Sequence, residues 1–140
     1  MDFSLGYLEV GADLGKLLGL NTIYFDRGKF DIRQDAAVEL DKIVDVMKKF
    51  PDIVIELDSH TDCRSAANLN LILSQKRADA SVAYIISKGI PSNRISGKGY
   101  GESQLINSCA CEGNVKSNCT EEEHAKNRRT EFLIVSMDTK

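Results

Sequence analysis

Apolar residues return along this chain at two different periods. Ala37, Leu40, Ile43 and Val44, Met47 and Phe50 recur every three or four positions, and Asp41, Lys42, Asp45, Lys48 and Lys49 fill the intervals. That is the pattern of a helix with one buried face. Asp31 and Gln34 have capping-box spacing at its start, and Pro51 stops it. Ile53, Ile55 and Leu57 then alternate with Val54, Glu56 and Asp58, a strand of period two. Residues 59–65 form a polar loop, and a longer helix is expected over about 66–88. Gly89 closes that helix, with Pro91 just beyond. Another strand starts at Arg94-Ile95-Ser96 and runs into Gly97, Gly99 and Gly101.

The ends of the pattern are less regular. Residues 1–20 are glycine-punctuated and read as a lead-in that packs on the domain edge or belongs to an upstream linker. Thr22-Ile23-Tyr24-Phe25 is β-branched and aromatic, which predicts a first strand. A long loop over 102–119 carries three cysteines. Thr120 and Glu123 make a capping box that opens a short helix to about Asn127. Thr130, Phe132 and Ile134 then alternate with Glu131, Leu133 and Val135 in a last strand. The order is β-α-β-α-β-(short α)-β, so a sheet with helices packed on it is expected. The boundaries are a lead-in at 1–20, one domain at 21–136 and a tail at 137–140.

Composition narrows the function classes. A chain of 140 residues fits one domain and is long enough to bury its own core. With 42% hydrophobic residues and a net charge of −3 it is not a disordered chain. A mildly acidic sequence lacks the basic footprint of a general nucleic-acid binder, so no nucleic-acid partner is expected. No apolar run is long enough to span a bilayer. Met1 to Gly6 has neither a basic nor an apolar signal-peptide region. The chain is therefore expected to be cytosolic, or a mature fragment whose targeting segment lies elsewhere.

The chemistry concentrates at a few places, each with two readings. Ser59-His60-Thr61-Asp62 sits at the C-terminal end of a strand, where α/β sheets place ligand sites; equally, Asp62 caps a turn. Asn70, Leu73 and Arg77 share one helix face by their spacing of three and four. That face is either a ligand wall or a solvated edge. Asn127-Arg128-Arg129 ends the short helix, where cations complement the helix dipole or hold an anionic ligand. Gly97, Gly99 and Gly101 precede no helix, so they read as a glycine-rich strand end rather than a phosphate cradle. His60 and His124 have no nucleophile partner, and Cys63 beside Asp62 is a poor thiolate because the carboxylate raises its pKa.

Cys63, Cys109, Cys111 and Cys119 are even in number, which leans toward an oxidising compartment. Cys109, Cys111 and Cys119 with His124, or all four cysteines, also offer a tetrahedral donor set for zinc. Their spacing is not that of a familiar zinc knuckle, so disulfides are the favoured reading and no metal or cofactor is expected. Cys109 and Cys111 lie too close in sequence to pair readily. That leaves Cys63–Cys111 with Cys109–Cys119, or Cys63–Cys109 with Cys111–Cys119.

Taken in order, these stretches resemble the OmpA-like domain shared by OmpA C-termini, Pal lipoproteins and MotB. The matching pieces are Ile23-Tyr24-Phe25-Asp26, Ser59-His60-Thr61-Asp62-Cys63-Arg64, Asn70-x-x-Leu73-Ser74-x-x-Arg77-Ala78, Gly89-Ile90, Gly99-Tyr100-Gly101-Glu102 and Asn127-Arg128-Arg129-Thr130-Glu131-Phe132. They cover about residues 21–135. The cysteine-rich insert and the final Asn-Arg-Arg-Thr-Glu-Phe run are similar to outer-membrane proteins of Bacteroidetes-type bacteria.

The resemblance implies an α+β sandwich with one mixed sheet and two main helices. It also implies non-covalent binding of peptidoglycan through the diaminopimelate of its peptide stem. Asp62 matches the position that pairs with the ligand's ammonium, and Arg77 the position that forks onto its carboxylate. Thr61 and Leu73 match pocket-lining positions, Asn70 and Arg128 match residues that hold the pocket or the stem's carboxylates, and Arg64 matches the rim. Gly28 departs from the family, falling where a polar contact residue often sits, with Arg27 beside it as a substitute. Ser65 replaces the usual Gly after Arg64. Among the cysteines, the resemblance favours Cys63–Cys111 with Cys109–Cys119.

The implied role is a binding module, not an enzyme, that tethers the outer membrane to the cell wall from the periplasm. An upstream outer-membrane anchor is expected in the full-length protein. The alternatives are a MotB-like assembly domain, in which a homodimer matters as much as wall binding, and a zinc- or cysteine-dependent wall hydrolase.

Overall fold

The structure is a computed structural model that describes residues 8–111 and 118–137. The start of the lead-in, part of the cysteine loop and the last three residues of the tail lie outside the described residues. The elements run α1 (Leu14–Leu18), α2 (Gln34–Lys49), β1 (Val54–His60), α3 (Ala67–Ser87), a 3-10 turn (Ser92–Arg94), β2 (Ile95–Gly101), α4 (Glu121–Ala125) and β3 (Thr130–Ser136). They build the expected α+β fold around one mixed sheet of order β2-β1-β3. β1 runs parallel to β2 and antiparallel to β3.

The period-two alternation of the strands decides which face is buried. Ile55 and Leu57 of β1 and Phe132 and Ile134 of β3 enter the core with Leu40, Ile43, Val44 and Met47 of α2 and Ala78 and Ile85 of α3. Each fully buried Leu or Ile contributes about 1.5–3 kcal/mol relative to exposure. α3 is amphipathic in an unusual way, burying Asn70, Ser74, Ala78 and Ser81 along one line. Small and polar residues are needed there because β2 lies very close. A Cβ at Gly99 would stand 2.2 Å from the Gln75 amide nitrogen and 2.5 Å from Ser74 C. The glycine series therefore does structural work: it lets a strand and a helix backbone touch.

The two main helices end as their sequences predict. α3 is followed by Gly89 at φ +106°, the left-handed conformation that glycine adopts without steric cost. α2 ends ahead of Pro51, and the buried Arg94 finishes it by donating to the carbonyls of Met47 (2.7 Å) and Phe50 (2.9 Å). A third bond from Arg94 reaches the Ile53 carbonyl at 3.0 Å, joining the helix end to the strand that follows.

Two local expectations do not hold. Thr22–Phe25 is not a strand of the sheet. The outer edge of β3 is engaged by residues 11–13 instead: Gly11 N donates to Ile134 O (2.8 Å), Ile134 N to Ala12 O (2.9 Å), and Phe132 N to the Asp13 carboxylate (2.9 Å). The same Asp13 carboxylate caps α1 by accepting from Gly15 N. The lead-in thus packs on the domain, with Leu8 and Leu14 inside the core. The Asp31–Gln34 capping box is also absent, since α2 begins at Gln34 with Arg33 as its uncapped N-cap. The Thr120–Glu123 box on α4 is formed in both directions. Among the described residues no helix is long and apolar enough to cross a membrane.

Candidate functional site

β1 ends at His60, and the chain leaves the sheet with Asp62 at the mouth of a cleft of about 650 Å³. Thr61 fixes this exit: its amide donates at 2.8 Å to the carbonyl of Gly101, the last residue of β2. Asn70, in the first turns of α3, holds the loop from the other side. Its Nδ2 donates to Asp62 O (3.1 Å), Ser65 O (3.1 Å) and the Glu102 carboxylate (3.0 Å). Asn70 is therefore a brace for the loop, with its amide hydrogens already committed. A disulfide from Cys63 to Cys111 ties the residue beside Asp62 to the cysteine loop, and a second joins Cys109 to Cys119. Those two bonds also take the thiolates away from a zinc or cysteine-nucleophile reading.

Asp62 is the hub of a charge network. Its Oδ2 accepts from Arg64 Nη2 (2.8 Å), Arg64 Nε (3.2 Å) and Arg128 Nη1 (2.6 Å), and its Oδ1 accepts from the Arg64 amide (3.0 Å). Burial raises the pKa of this carboxyl, but the bonds from Arg64 and Arg128 outweigh it and hold the pKa at about 2. Asp62 is thus ionised throughout the neutral range. Glu121, at the first turn of α4, closes the ring by accepting from both Arg64 and Arg128. The two arginines hold its carboxyl below the ordinary value.

Arg77 approaches the cleft from α3. Its guanidinium stacks over the Phe25 ring at 4.9 Å and donates through Nε to Lys29 O (2.9 Å) and through Nη2 to Asp26 O (3.3 Å). Burial lowers its pKa, and the charge of Arg128 lowers it further. The turn it grips has Gly28 at φ +71° and Lys29 N donating to Asp26 O. Arg27 and Gly28 both line the cleft.

All seven residues expected at the site, Asp62, Arg77, Thr61, Leu73, Asn70, Arg64 and Arg128, line this one cleft. Arg64 is more than a rim residue, since it supplies three of the four bonds to the Asp62 carboxylate. Two participants were not singled out by the sequence reading as site residues: Glu121, an acid in the first turn of the short helix, and Phe25, which looked like a strand residue. Arg129 carried both readings, helix-end cation and holder of an anionic ligand. Arg129 joins the cleft wall while bonding Glu131, Asn127 O and Gln104 O. The roles of Glu121 and Phe25 arise from contacts across the chain that no local spacing encodes. The lining carries five arginines, Arg27, Arg64, Arg77, Arg128 and Arg129, against Asp62 and Glu121. With this excess of arginines the cleft is suited to a ligand with anionic groups.

The sequence matches the OmpA family over residues 24–119. It is 34% identical over 87 residues to the peptidoglycan-associated lipoprotein of Rhizobium meliloti (strain 1021), covering 62% of this chain and 49% of that protein. It is 30% identical over 114 residues to the probable lipoprotein YiaD of Escherichia coli (strain K12), covering 81% and 48%. The chain spans about half the length of these curated relatives. Among solved structures, the peptidoglycan-associated lipoprotein of Burkholderia pseudomallei superposes with a TM-score of 0.67 at 23% identity, covering 83% of this chain and 91% of that one. That likeness is one of fold.

Proposed function

The chain belongs to the OmpA family, and on that premise we propose that it binds peptidoglycan non-covalently through the diaminopimelate of the peptide stem. In doing so it tethers the outer membrane to the cell wall from the periplasmic side. The distal end of diaminopimelate carries an ammonium and a carboxylate on one carbon. A receptor for it needs an anion and a cation facing one space, each with bonding capacity left over.

The observation that carries this reading is that Asp62 and Arg77 line the same cleft and both have such capacity. A carboxylate oxygen accepts about two hydrogen bonds, and Asp62 Oδ1 takes one in the structure. Its second lone pair is available to the ammonium. Arg77 spends Nε and Nη2 on the 26–29 turn, which leaves Nη1 for the ligand carboxylate. Because the turn and the Phe25 ring already hold the guanidinium, little ordering cost remains on binding. Each charge-assisted bond contributes about 1.5–3 kcal/mol. Leu73 and Thr61 flank the two groups on the cleft wall. The surplus arginines favour a stem whose other carboxylates are free.

The test is titration of the labelled protein with a stem peptide that carries diaminopimelate and, in parallel, with the same peptide carrying lysine, whose α-amino and α-carboxyl groups are then held in peptide bonds, followed by amide NMR. Diaminopimelate is expected to shift resonances around Asp62, Thr61 and Arg77. Lysine lacks the second carboxylate and would leave Arg77 desolvated without a partner. Equal responses to both ligands, or shifts confined to other surfaces, would overturn the reading. Sedimentation with diaminopimelate-type and lysine-type walls extends the same comparison to the polymer.

A further inference from the structure

The sheet face turned away from the helices carries a second chemical group. Asp58 of β1 stands directly opposite Glu131 of β3 in the antiparallel register, and His60 follows two positions along the same face. Like charges facing each other across strands are destabilising. One donor atom from each of Asp58, His60 and Glu131 lies within 4.8 Å of the other two. His60 Nε2 is 3.1 Å from Glu131 Oε1. Asp58 is 2% exposed and His60 3% exposed, and Asp58 Oδ1 and His60 Nδ1 are both buried without a hydrogen-bond partner. Burying a polar atom unpaired costs free energy. Asp58 also has the Glu56 side chain in hydrogen-bonding contact, so carboxyl groups and an imidazole crowd one face of the sheet with donor atoms that a cation would satisfy.

We propose that Asp58, His60 and Glu131 form a binding site for a divalent transition-metal ion of the zinc type. The donor set is one imidazole nitrogen with two carboxylate oxygens, which suits zinc, whereas calcium takes six to eight oxygens. Asp58 and His60 form the buried floor. Glu131, with 28% of its side chain exposed, is the side open to solvent, from which an ion enters and where water completes its shell. Glu131 is already oriented by Arg129 Nε at 3.1 Å, and His60 is stacked on Tyr100 with ring centroids 5.2 Å apart. Outer contacts of this kind fix the direction of metal ligands. An ion here would clamp β1 to β3 at the strand end from which the Asp62 loop departs.

The site is separate in its ligands from the Asp62 and Arg77 pair, so the two proposals fail separately. The experiment is calorimetric titration of the EDTA-treated chain with Zn²⁺, with Co²⁺ absorption as a second probe and a thermal melt with and without Zn²⁺. Asp58→Asn and Glu131→Gln preserve shape while removing a charged ligand; Asp62→Asn and His124→Gln are the controls. The expected result is one Zn²⁺ per chain, a higher Tm with the metal, visible Co²⁺ bands, and affinity at least about tenfold weaker in both ligand variants. Both controls retain binding. Absence of binding by the wild-type chain overturns the proposal, as does unchanged binding in the ligand variants or loss of it in a control. If Asp58→Asn does not fold, Glu131→Gln, at the solvent side of the cluster, carries the test alone.

Discussion

Asp62 and Arg128 are 66 positions apart in the chain and meet at 2.6 Å in the cleft. The contact joins the loop after β1 to the segment between α4 and β3, and Glu121 accepts from the same arginine. One consequence concerns how the site is assembled. Arg128 and Arg64 neutralise Asp62 before any ligand arrives, so the carboxylate is held in place by bonds to the protein and not only by a ligand. A second concerns specificity. With both arginines shared between Asp62 and Glu121, Arg77 is the cation in the cleft that bonds only backbone carbonyls.

That division makes Asp62 and Arg77 separable by mutation. Asp62→Asn keeps the shape of the side chain and removes the charge, and Arg77→Lys keeps the charge and removes the fork. Each is expected to weaken sedimentation with diaminopimelate-type peptidoglycan by about tenfold or more, the loss of one charge-assisted bond. Thermal unfolding is expected to change little in Arg77→Lys, because Lys still packs on Phe25; Asp62→Asn also gives up the ion pairs to Arg64 and Arg128 and is expected to lower Tm, so its sedimentation is measured well below its melting transition. Wild-type sedimentation by either variant would remove that residue from the site.

Gly99 and Gly28 look alike in sequence but carry different costs. At Gly99 the obstacle is space, since a Cβ would lie 2.2 Å from the Gln75 nitrogen and β2 would have to move off α3. Gly99→Ala is expected to destabilise the fold by about 3 kcal/mol, the upper range for overpacking. At Gly28 nothing stands within 4 Å of an added Cβ, and the cost is the φ of +71°. Gly28→Ala should cost about 1 kcal/mol, with its effect confined to the turn that holds Arg77. Urea unfolding of the two variants measures the contrast, and equal losses would contradict it.

The legible part of the fold was the part dictated by period and punctuation. α2 repeats its apolar positions over 16 residues and stops ahead of Pro51, whereas α3, which buries Asn70, Ser74, Ala78 and Ser81 over its 21 residues, was legible mainly through the Gly89 and Pro91 that close it. The cleft residues were legible through the order of the motifs, not through any single spacing. Thr22–Phe25 misled because β-branched and aromatic residues favour an extended chain without specifying which sheet edge accepts it. That edge is engaged by Gly11, Ala12 and Asp13, whose glycine-punctuated sequence has no strand character. Glu121 was hidden by its own motif, since an acid in the first turn of a helix already has a local reason to be there. The cluster of Asp58, His60 and Glu131 depends on the register between β1 and β3, which alternation alone does not fix.

The Cys63–Cys111 bond closes a span of 48 residues beside the Asp62 loop. In the loop-entropy account a closure of that length stabilises the fold by about 4 kcal/mol. Cys63→Ala with Cys111→Ala is therefore expected to lower unfolding free energy by up to that amount. It should also weaken wall binding severalfold, because the loop that carries Asp62 would have to be ordered by the ligand. Guanidinium unfolding and sedimentation measure the two effects on one sample. Thiol titration of the denatured, unreduced wild-type chain provides the accompanying check: four reactive thiols would contradict both disulfides.

A last relationship links acid stability to the cleft. Glu39 on α2 is 5% exposed and accepts from Asn21 N at 2.8 Å and from Lys42 Nζ at 3.0 Å. It thereby anchors the start of the segment that runs on to Tyr24 and Phe25 at the cleft. The bond from Lys42 lowers its pKa below the ordinary 4.5, against burial, which raises it. A carboxyl whose folded pKa is depressed stabilises the fold fully above its unfolded pKa, and loses that contribution as pH falls through the folded value. Glu39→Gln keeps an acceptor for Asn21 but no charge for Lys42. At pH 7 it should be less stable than wild type by about 1 kcal/mol. The gap should shrink as pH drops below 4.5 and close once Glu39 is protonated in the folded protein. Urea unfolding of both proteins from pH 7 to pH 3 tests this. A gap that stays constant across the range would mean the loss is one of shape, and the ion pair would have no part in holding the 21–25 segment.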